Sequence, residues 1–148
     1  MDSLDHDVLL TAQRWLHAGH SVLLATVTRT WGSSPRPPGA LLALRDDGRV
    51  CGSVSGGCIE DDLIERVQRE GLPTQPQIVS YGASADQARR FGLPCGGTLE
   101  LVLEPLKHID ALDELLSRLH DGEVVCRRLH LPSAAITLET ADKHPLST

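Results

Sequence analysis

The spacing of apolar residues along the chain predicts three amphipathic helices. Residues 2–19, 59–71 and 109–122 each place their apolar side chains on one helical face and end at a glycine. In the first segment Asp2 or Ser3 can cap the helix, with Leu4, Val8 and Ala12 on the inner face. Ser84 can cap a shorter fourth helix that extends to Arg90.

Short apolar or alternating runs between these helices predict the strands. They cover residues 21–29, 40–45, 49–54, 77–80, 98–103, 123–131 and 134–138. Gly48 supplies the positive φ that closes a hairpin between the second and third runs, and the last two runs form another hairpin. The tail from Thr140 is expected to fray. We therefore expect one α+β domain over residues 1–148, with a mixed β-sheet, about three helices and glycine-rich loops.

Composition excludes several function classes. The chain has 148 residues, and 14 Lys+Arg against 20 Asp+Glu give a formal charge of −6. Only 3% of the residues are aromatic, so no row of rings is available for stacking nucleobases, and nucleic acid is not an expected partner. No apolar run is long enough to span a membrane, and the acidic first residues are unlike a signal peptide. We expect a cytoplasmic protein without a membrane partner.

The four cysteines are too widely separated for a zinc knuckle or a dense disulfide framework. They are Cys51, Cys58, Cys95 and Cys126. Free thiols are the expectation for a reducing compartment. Cys51 and Cys126 lie within predicted strands, which favours a packing role for both.

Three glycine-rich loops carry the candidate chemistry. The first loop is residues 30–39 (TWGSSPRPPG), the second loop is residues 52–60 (GSVSGGCIE), and the third loop is residues 92–97 (GLPCGG). In the second loop Cys58 stands at a helix start, where backbone N–H groups favour an anion or a thiolate. Glu60, Asp61 and Asp62 lie in the same turn and offset much of that field. The alternative is a tight structural turn in which Cys58 packs as a small hydrophobic residue.

The first loop is stiffened by prolines and carries polar side chains. Pro35 and its neighbours restrict the backbone and hold Ser33, Ser34 and Arg36 in place. Residues 26–58 contain four arginines against two aspartates, a local excess of positive charge in an acidic protein. Such a patch suits the phosphate of a small ligand, with Arg as its bidentate partner. The alternative is that these arginines are ordinary surface charges.

Familiar signatures of other chemistries are absent from the sequence. It contains no GxGxxG, no GxxxxGK[ST] and no HExxH pattern, and the histidines lack helical metal-ligand spacing. Val54 occupies the nucleophile position of what would otherwise be a GxSxG elbow. Dinucleotide, P-loop, zinc-protease and serine-hydrolase functions therefore have no support from motifs.

The ordered set of motifs resembles a known family. The segments TVTRTWGSSPRPPGALLAL, DDGRVCGSVSGGCIEDDLIERV and FGLPCGGTLELVLEPL are similar to the N-terminal domain of the XdhC/CoxI family, over roughly residues 5–139. Members of that family are accessory proteins of xanthine dehydrogenase and related molybdenum hydroxylases. The resemblance implies binding of the molybdenum cofactor (molybdopterin), help with its sulfuration by a cysteine desulfurase, and delivery to the apo-hydroxylase.

The motif positions and the chemistry of their residue types together give the candidate cofactor-binding residues. These are Ser33, Ser34, Arg36, Gly56, Gly57, Cys58, Glu60, Cys95, Gly96 and Gly97. Cys58 is in addition the candidate catalytic thiol, and Cys58 or Cys95 could contact molybdenum or sulfur without a dedicated metal site. If the loops form one site, Cys58 and Cys95 should approach each other across neighbouring strand ends, with residues 33–36 beside them.

Three hypotheses for function remain open from the sequence. The first is a non-catalytic cofactor chaperone, the second is a small sulfur-transfer enzyme that uses Cys58, and the third is a structural interaction domain. Many family members continue into a dinucleotide-binding-like second domain, whose signature is absent here. The chain is therefore either a single-domain member, with a separate second-domain protein as a possible partner, or a fragment. We expect the apo-hydroxylase and the cysteine desulfurase as partners, and a homodimer is also open.

Overall fold

A computed structural model describes residues 3–31, 36–55, 58–82, 98–131 and 133–140. Its helices are α1 (Ser3–His17), α2 (Cys58–Glu70) and α3 (Ile109–His120). Its strands are β1 (Val22–Trp31), β2 (Leu41–Arg45), β3 (Val50–Gly52), β4 (Gln77–Tyr81), β5 (Thr98–Pro105), β6 (Val125–His130) and β7 (Ala135–Thr140). No helix in these ranges is long and apolar enough to cross a bilayer.

These elements confirm the α+β class and the three long helices. The predicted helix at 84–90 and residues 141–148 of the tail lie outside the described residues. The expected fraying is wrong at Thr140 itself, because Thr140 pairs with Val125 as the last residue of β7. The chain divides into two compact units, Met1–Leu106 and Lys107–Thr148. The first unit contains a five-stranded sheet with α1 and α2, and the second contains α3 with the β6–β7 hairpin.

The five-stranded sheet has the order β3-β2-β1-β5-β4. We expected a mixed sheet, but every pairing in the described part of the chain is antiparallel. The reason is the position of β5. It inserts between β1 and β4, and α2 crosses from β3 at one edge to β4 at the other. Strands β1, β3 and β4 therefore run in the same direction without being neighbours.

One face of the sheet is covered by α2 and forms the main core. Ile59, Leu63 and Val67 repeat at four-residue spacing along α2, so they form one stripe on the helix. The core residues of the sheet are Leu23, Ala25, Val27, Leu42, Leu44, Tyr81, Leu99, Leu101 and Leu103. This burial fixes the register of each strand, because a shift by one residue would turn the apolar side chains to the opposite face.

The other face of β1, β2 and β3 is covered by α1. Its buried residues are Asp5, Val8, Leu9 and Ala12, which share one helical face. The expected inner position of Leu4 is wrong, because Leu4 is exposed and the neighbouring Asp5 faces inward instead. A carboxylate therefore lies on the buried face of the helix.

In the second unit, α3 contributes Leu112, Leu115 and Leu116 as buried residues. The β6–β7 hairpin pairs Val125 with Thr140 and His130 with Ala135. This unit confirms the predicted helix and hairpin.

Candidate functional site

The three glycine-rich loops leave the sheet at the same end. Because β1, β3 and β4 run in the same direction, their last residues Trp31, Gly52 and Tyr81 lie at one end of the sheet. The first loop begins in the last two residues of β1, the second begins at Gly52, and the third belongs to the connection between Tyr81 and Thr98. We call this end of the sheet, with Leu41 and Thr98 as its other strand residues, the loop end.

Most of the predicted site residues lie outside the described residues. These are Ser33, Ser34, Gly56, Gly57, Cys95, Gly96 and Gly97. Cys58 is placed by its backbone as the first residue of α2, and the side chains of Arg36 and Glu60 are described. The approach of Cys58 to Cys95 stays a prediction, while the residues that flank the loops show how they are held.

The first and second loops are joined by their flanking strands. The Ser53 N–H donates a hydrogen bond of 3.2 Å to the carbonyl oxygen of Leu41. Gly52 adopts a φ of +95° beside this contact, and a Cβ at that position would collide with the Leu41 carbonyl oxygen and lie 2.5 Å from Cγ2 of Val8. Glycine is required there because both the backbone conformation and the space exclude a side chain.

The first and third loops are joined through β1 and β5. Trp31 pairs with Thr98, the residue that directly follows the third loop. The pairing shifts between Val27 and Arg29, which leaves Thr28 as a β-bulge residue. Thr28 Oγ1 donates 2.8 Å to Oε1 of Glu100, so the bulge is fastened to β5.

The second and third loops are joined by a side-chain hydrogen bond. Tyr81, the last residue of β4, donates from its hydroxyl to Oδ2 of Asp62 at 2.8 Å. Asp62 lies one helical turn after Cys58 on α2. Burial and the neighbouring Asp62 carboxylate raise the pKa of Tyr81 above its ordinary value, so the hydroxyl keeps its proton and remains a donor.

The second loop is closed by a reciprocal pair of side chains. Oε1 of Glu60 accepts from the N–H of Ser55 at 2.9 Å and from its hydroxyl at 2.7 Å. Ser55 Oγ in turn accepts from the N–H of Ile59 at 3.2 Å. This arrangement resembles a capping box with a wider spacing, because four residues (Gly56 to Ile59) stand between Ser55 and Glu60. Glu60 is buried and links Ser55, on one side of the two glycines, to the first turn of α2 on the other.

The first loop is tethered to α1 through Arg36. Its Nη2 donates to Oδ1 of Asp5 at 2.9 Å, and its side chain is only 16% exposed. The same Asp5 oxygen accepts from the N–H of Leu41 at 3.0 Å. Sequence reasoning assigned Arg36 to a phosphate and missed Asp5. The sequence did contain a signal: Asp5 precedes the inward-facing Val8 and Leu9 by three and four residues, so it lies on the same face of the helix.

The other two cysteines and the question of a metal site complete the description of the predicted features. Cys51 and Cys126 are free, half-buried thiols on β3 and β6, and Sγ of Cys51 lies 3.6 Å from Oγ1 of Thr11. Among the described residues, no group of three or more His, Cys, Asp and Glu side chains is arranged to hold a metal ion.

An antiparallel sheet packed against helices, with the flanks of three glycine-rich segments at one end, defines an α+β fold. Residues 15–82 match the model of the XdhC and CoxI family. The predicted resemblance to this family is therefore confirmed over that segment.

Curated relatives share the resemblance over most of the chain. The chain is 32% identical over 131 residues to the molybdenum cofactor insertion chaperone PaoD of Escherichia coli (strain K12), covering 82% of this chain and 38% of PaoD. It is 25% identical over 129 residues to a probable xanthine dehydrogenase subunit of Bacillus subtilis (strain 168), again covering 82% and 38%. The chain thus spans less than half the length of these relatives.

A crystal structure shows the same fold. A protein described as a xanthine dehydrogenase from Bacillus halodurans matches with a TM-score of 0.69 and 27% sequence identity. The match covers 95% of this chain and 46% of that chain.

Proposed function

We propose that this chain is an accessory protein that binds the molybdenum cofactor and assists its sulfuration and insertion into a xanthine-dehydrogenase-type hydroxylase. The observation that carries the proposal is that the described strand residues flanking all three glycine-rich loops lie at one end of the sheet. The similarity to an insertion chaperone supplies the identity of the ligand.

The residue types of these loops suit the two ends of this cofactor. Backbone N–H groups near the start of α2, next to Gly56 and Gly57, favour the phosphate. Thiolate sulfur is a soft ligand, so Cys58 and Cys95 suit the metal-dithiolene end. Ser33 and Ser34 add hydroxyl donors in the first loop.

Two of the predicted residues have structural roles in this account. Glu60 holds the Ser55 turn and Arg36 holds the first loop to α1, so both keep the loops in a preformed arrangement. A preformed site binds more tightly because less loop entropy is lost when the ligand arrives. We therefore assign Glu60 and Arg36 to positioning the cofactor loops.

In this proposal the chain holds and presents the cofactor, while a cysteine desulfurase carries out the sulfur transfer. The apo-hydroxylase receives the cofactor, and a separate protein that carries a second domain is a further proposed partner. A homodimer would be an alternative to that partner.

Anaerobic transfer of the cofactor tests this proposal. The purified chain is loaded with molybdenum cofactor released from a molybdenum enzyme and mixed with an apo-hydroxylase, whose activity is followed. We expect near-stoichiometric loading and activation of the hydroxylase, both weaker with Glu60→Gln than with the exposed control Glu65→Gln.

Two outcomes of the same assay would overturn the proposal. Failure to retain cofactor with reduced thiols would exclude this role for the chain alone. Repeated turnover through a persulfide on Cys58, detected by mass spectrometry, would instead support a sulfur-transfer enzyme.

A further inference from the structure

Two exposed side chains, those of Trp31 and Arg29, belong to the part of β1 nearest the loop end. Trp31 is 47% exposed, and the side chain of Arg29 is 69% exposed. The chain has only four aromatic residues, and the second tryptophan, Trp15, lies under the guanidinium of Arg45 at 5.4 Å. Leaving a large apolar ring in water forgoes the stabilisation of burial, so the position of Trp31 points to a surface that a ligand covers.

The register of β1 places the two side chains on one face. After the bulge at Thr28, Arg29 pairs with Glu100 and Trp31 pairs with Thr98. Residues two apart on a strand project to the same side, roughly 7 Å from each other. This side is opposite to buried Leu99 and therefore faces away from α2.

We propose that Trp31 and Arg29 form a two-point contact for a flat heterocycle that carries a phosphate. The indole stacks on the heterocycle, and the guanidinium pairs with the phosphate. The inference rests on the proposed function and deepens it, because it adds two residues to the cofactor site. It assigns the phosphate to Arg29 in place of Arg36, whose guanidinium is engaged by Asp5, and in place of the N–H groups at the start of α2, which packs on the other face of the sheet.

The surrounding charges allow Arg29 to serve this role. Glu100 is the neighbouring acid, and its Oε1 lies 4.0 Å from Nε of Arg29. That oxygen already accepts the 2.8 Å hydrogen bond from Thr28. An exposed ion pair at this distance contributes little to the stability of the fold. The guanidinium can therefore turn toward a phosphate with only a small loss of stability.

Binding of four defined probes tests the inference. These are the molybdenum cofactor released from a molybdenum enzyme, neopterin monophosphate, neopterin without phosphate, and inorganic phosphate. Affinities are measured for the parent, Trp31→Leu, Trp31→Phe, Arg29→Gln and the exposed control Arg69→Gln. Quenching of Trp31 fluorescence in a Trp15→Phe background reports stacking directly.

We expect Trp31→Leu to weaken binding of the cofactor and of both neopterins roughly five- to 150-fold, as for a lost base stack. Trp31→Phe should recover most of that affinity, because it keeps an aromatic face. Arg29→Gln should weaken the two phosphate-bearing pterins and reduce their salt dependence, while neopterin without phosphate is unaffected. Arg69→Gln should behave as the parent.

Two results would overturn the inference and can be told apart. If the parent binds cofactor and both Trp31→Leu and Arg29→Gln bind it equally well, the two-point contact is wrong while the proposed function stands. If the parent binds no cofactor, the proposed function fails and the inference fails with it. Circular dichroism of each variant separates loss of contact from loss of fold.

Discussion

The hydroxyl of Tyr81 donates a 2.8 Å hydrogen bond to Oδ2 of Asp62. Tyr81 ends β4, where the chain enters the connection that contains the third loop, and Asp62 belongs to the second turn of the helix that follows the second loop. Two segments far apart in sequence are thereby joined at the base of the proposed site. With the Ser53–Leu41 bond and the Trp31–Thr98 pairing, this contact connects the flanks of all three loops.

Tyr81→Phe should lower the free energy of unfolding by about 1 to 3 kcal/mol, because Asp62 loses a donor in a half-buried position. A double-mutant cycle with Asp62→Asn, followed by urea denaturation, measures the coupling of the pair. Asp61→Asn, on the exposed neighbour, is the control. Purely additive effects of Tyr81→Phe and Asp62→Asn would contradict the contact.

The stability of the protein should fall with rising pH above about 10 because of Tyr81. Its pKa is raised in the folded chain relative to the ordinary value of 10.0, so the unfolded chain releases the phenolic proton first. The folded chain then binds more protons than the unfolded chain, and stability decreases at up to ~1.4 kcal/mol per pH unit. Below pH 10 this contribution is fully present.

The Tyr81→Phe variant isolates this effect. Unfolding free energies of parent and variant are compared from pH 8 to 11, so that other titrating groups cancel. The difference between them should shrink as the pH rises above 10. Parallel curves across that range would exclude the raised pKa.

Asp5→Asn should destabilise the chain more than Asp7→Asn does. It leaves the guanidinium of Arg36 buried without its carboxylate, a change that costs ~3–5 kcal/mol in fully buried pairs. Both side chains keep some solvent contact, so we expect about 2 to 4 kcal/mol by chemical denaturation. Asp7 is exposed on the same helix and controls for the loss of charge. Equal effects of the two substitutions would show that the tether contributes nothing.

Local patterns in the sequence predicted the elements well. The apolar stripes of α2 and α3 and the turn at Gly48 involve residues close in sequence, so their chemistry is visible without the fold. β1 extends to Trp31, beyond the predicted end at residue 29, because the bulge at Thr28 lets it continue to pair with β5. Propensity alone does not indicate such an extension.

The contacts that hold the flanks of the loops together could not be predicted, because they depend on the order of the strands in the sheet. Nothing near Tyr81 in sequence indicates that it meets Asp62, since β5 must first insert between β1 and β4. The pairing of Arg36 with Asp5 likewise requires α1 to lie against the start of β2. The glycine and cysteine residues therefore allowed the loops to be located in the sequence. The contacts that hold the flanks of the loops became visible only in the tertiary structure.

Cys58 and Cys95 should be close enough to be linked within one chain. In a Cys51→Ser, Cys126→Ser background, a short bis-thiol reagent should join them, and peptide mass spectrometry should identify the link. Mild oxidation would add a disulfide if their Cα atoms lie within ~7 Å. Modification of each thiol separately, with no link, would contradict a shared site, and a link between two chains would make a dimer the functional unit.

A cofactor titration across the four cysteines tests the central claim most directly. Anaerobic binding of molybdenum cofactor is measured for the parent and for single serine variants of Cys51, Cys58, Cys95 and Cys126. The account predicts about one cofactor per functional unit, with affinity reduced at least roughly tenfold by Cys58→Ser and Cys95→Ser, equivalent to ~1.4 kcal/mol, and little changed by the two strand variants. Equal effects of all four variants, or no binding by the parent, would contradict a cofactor site at the loop end.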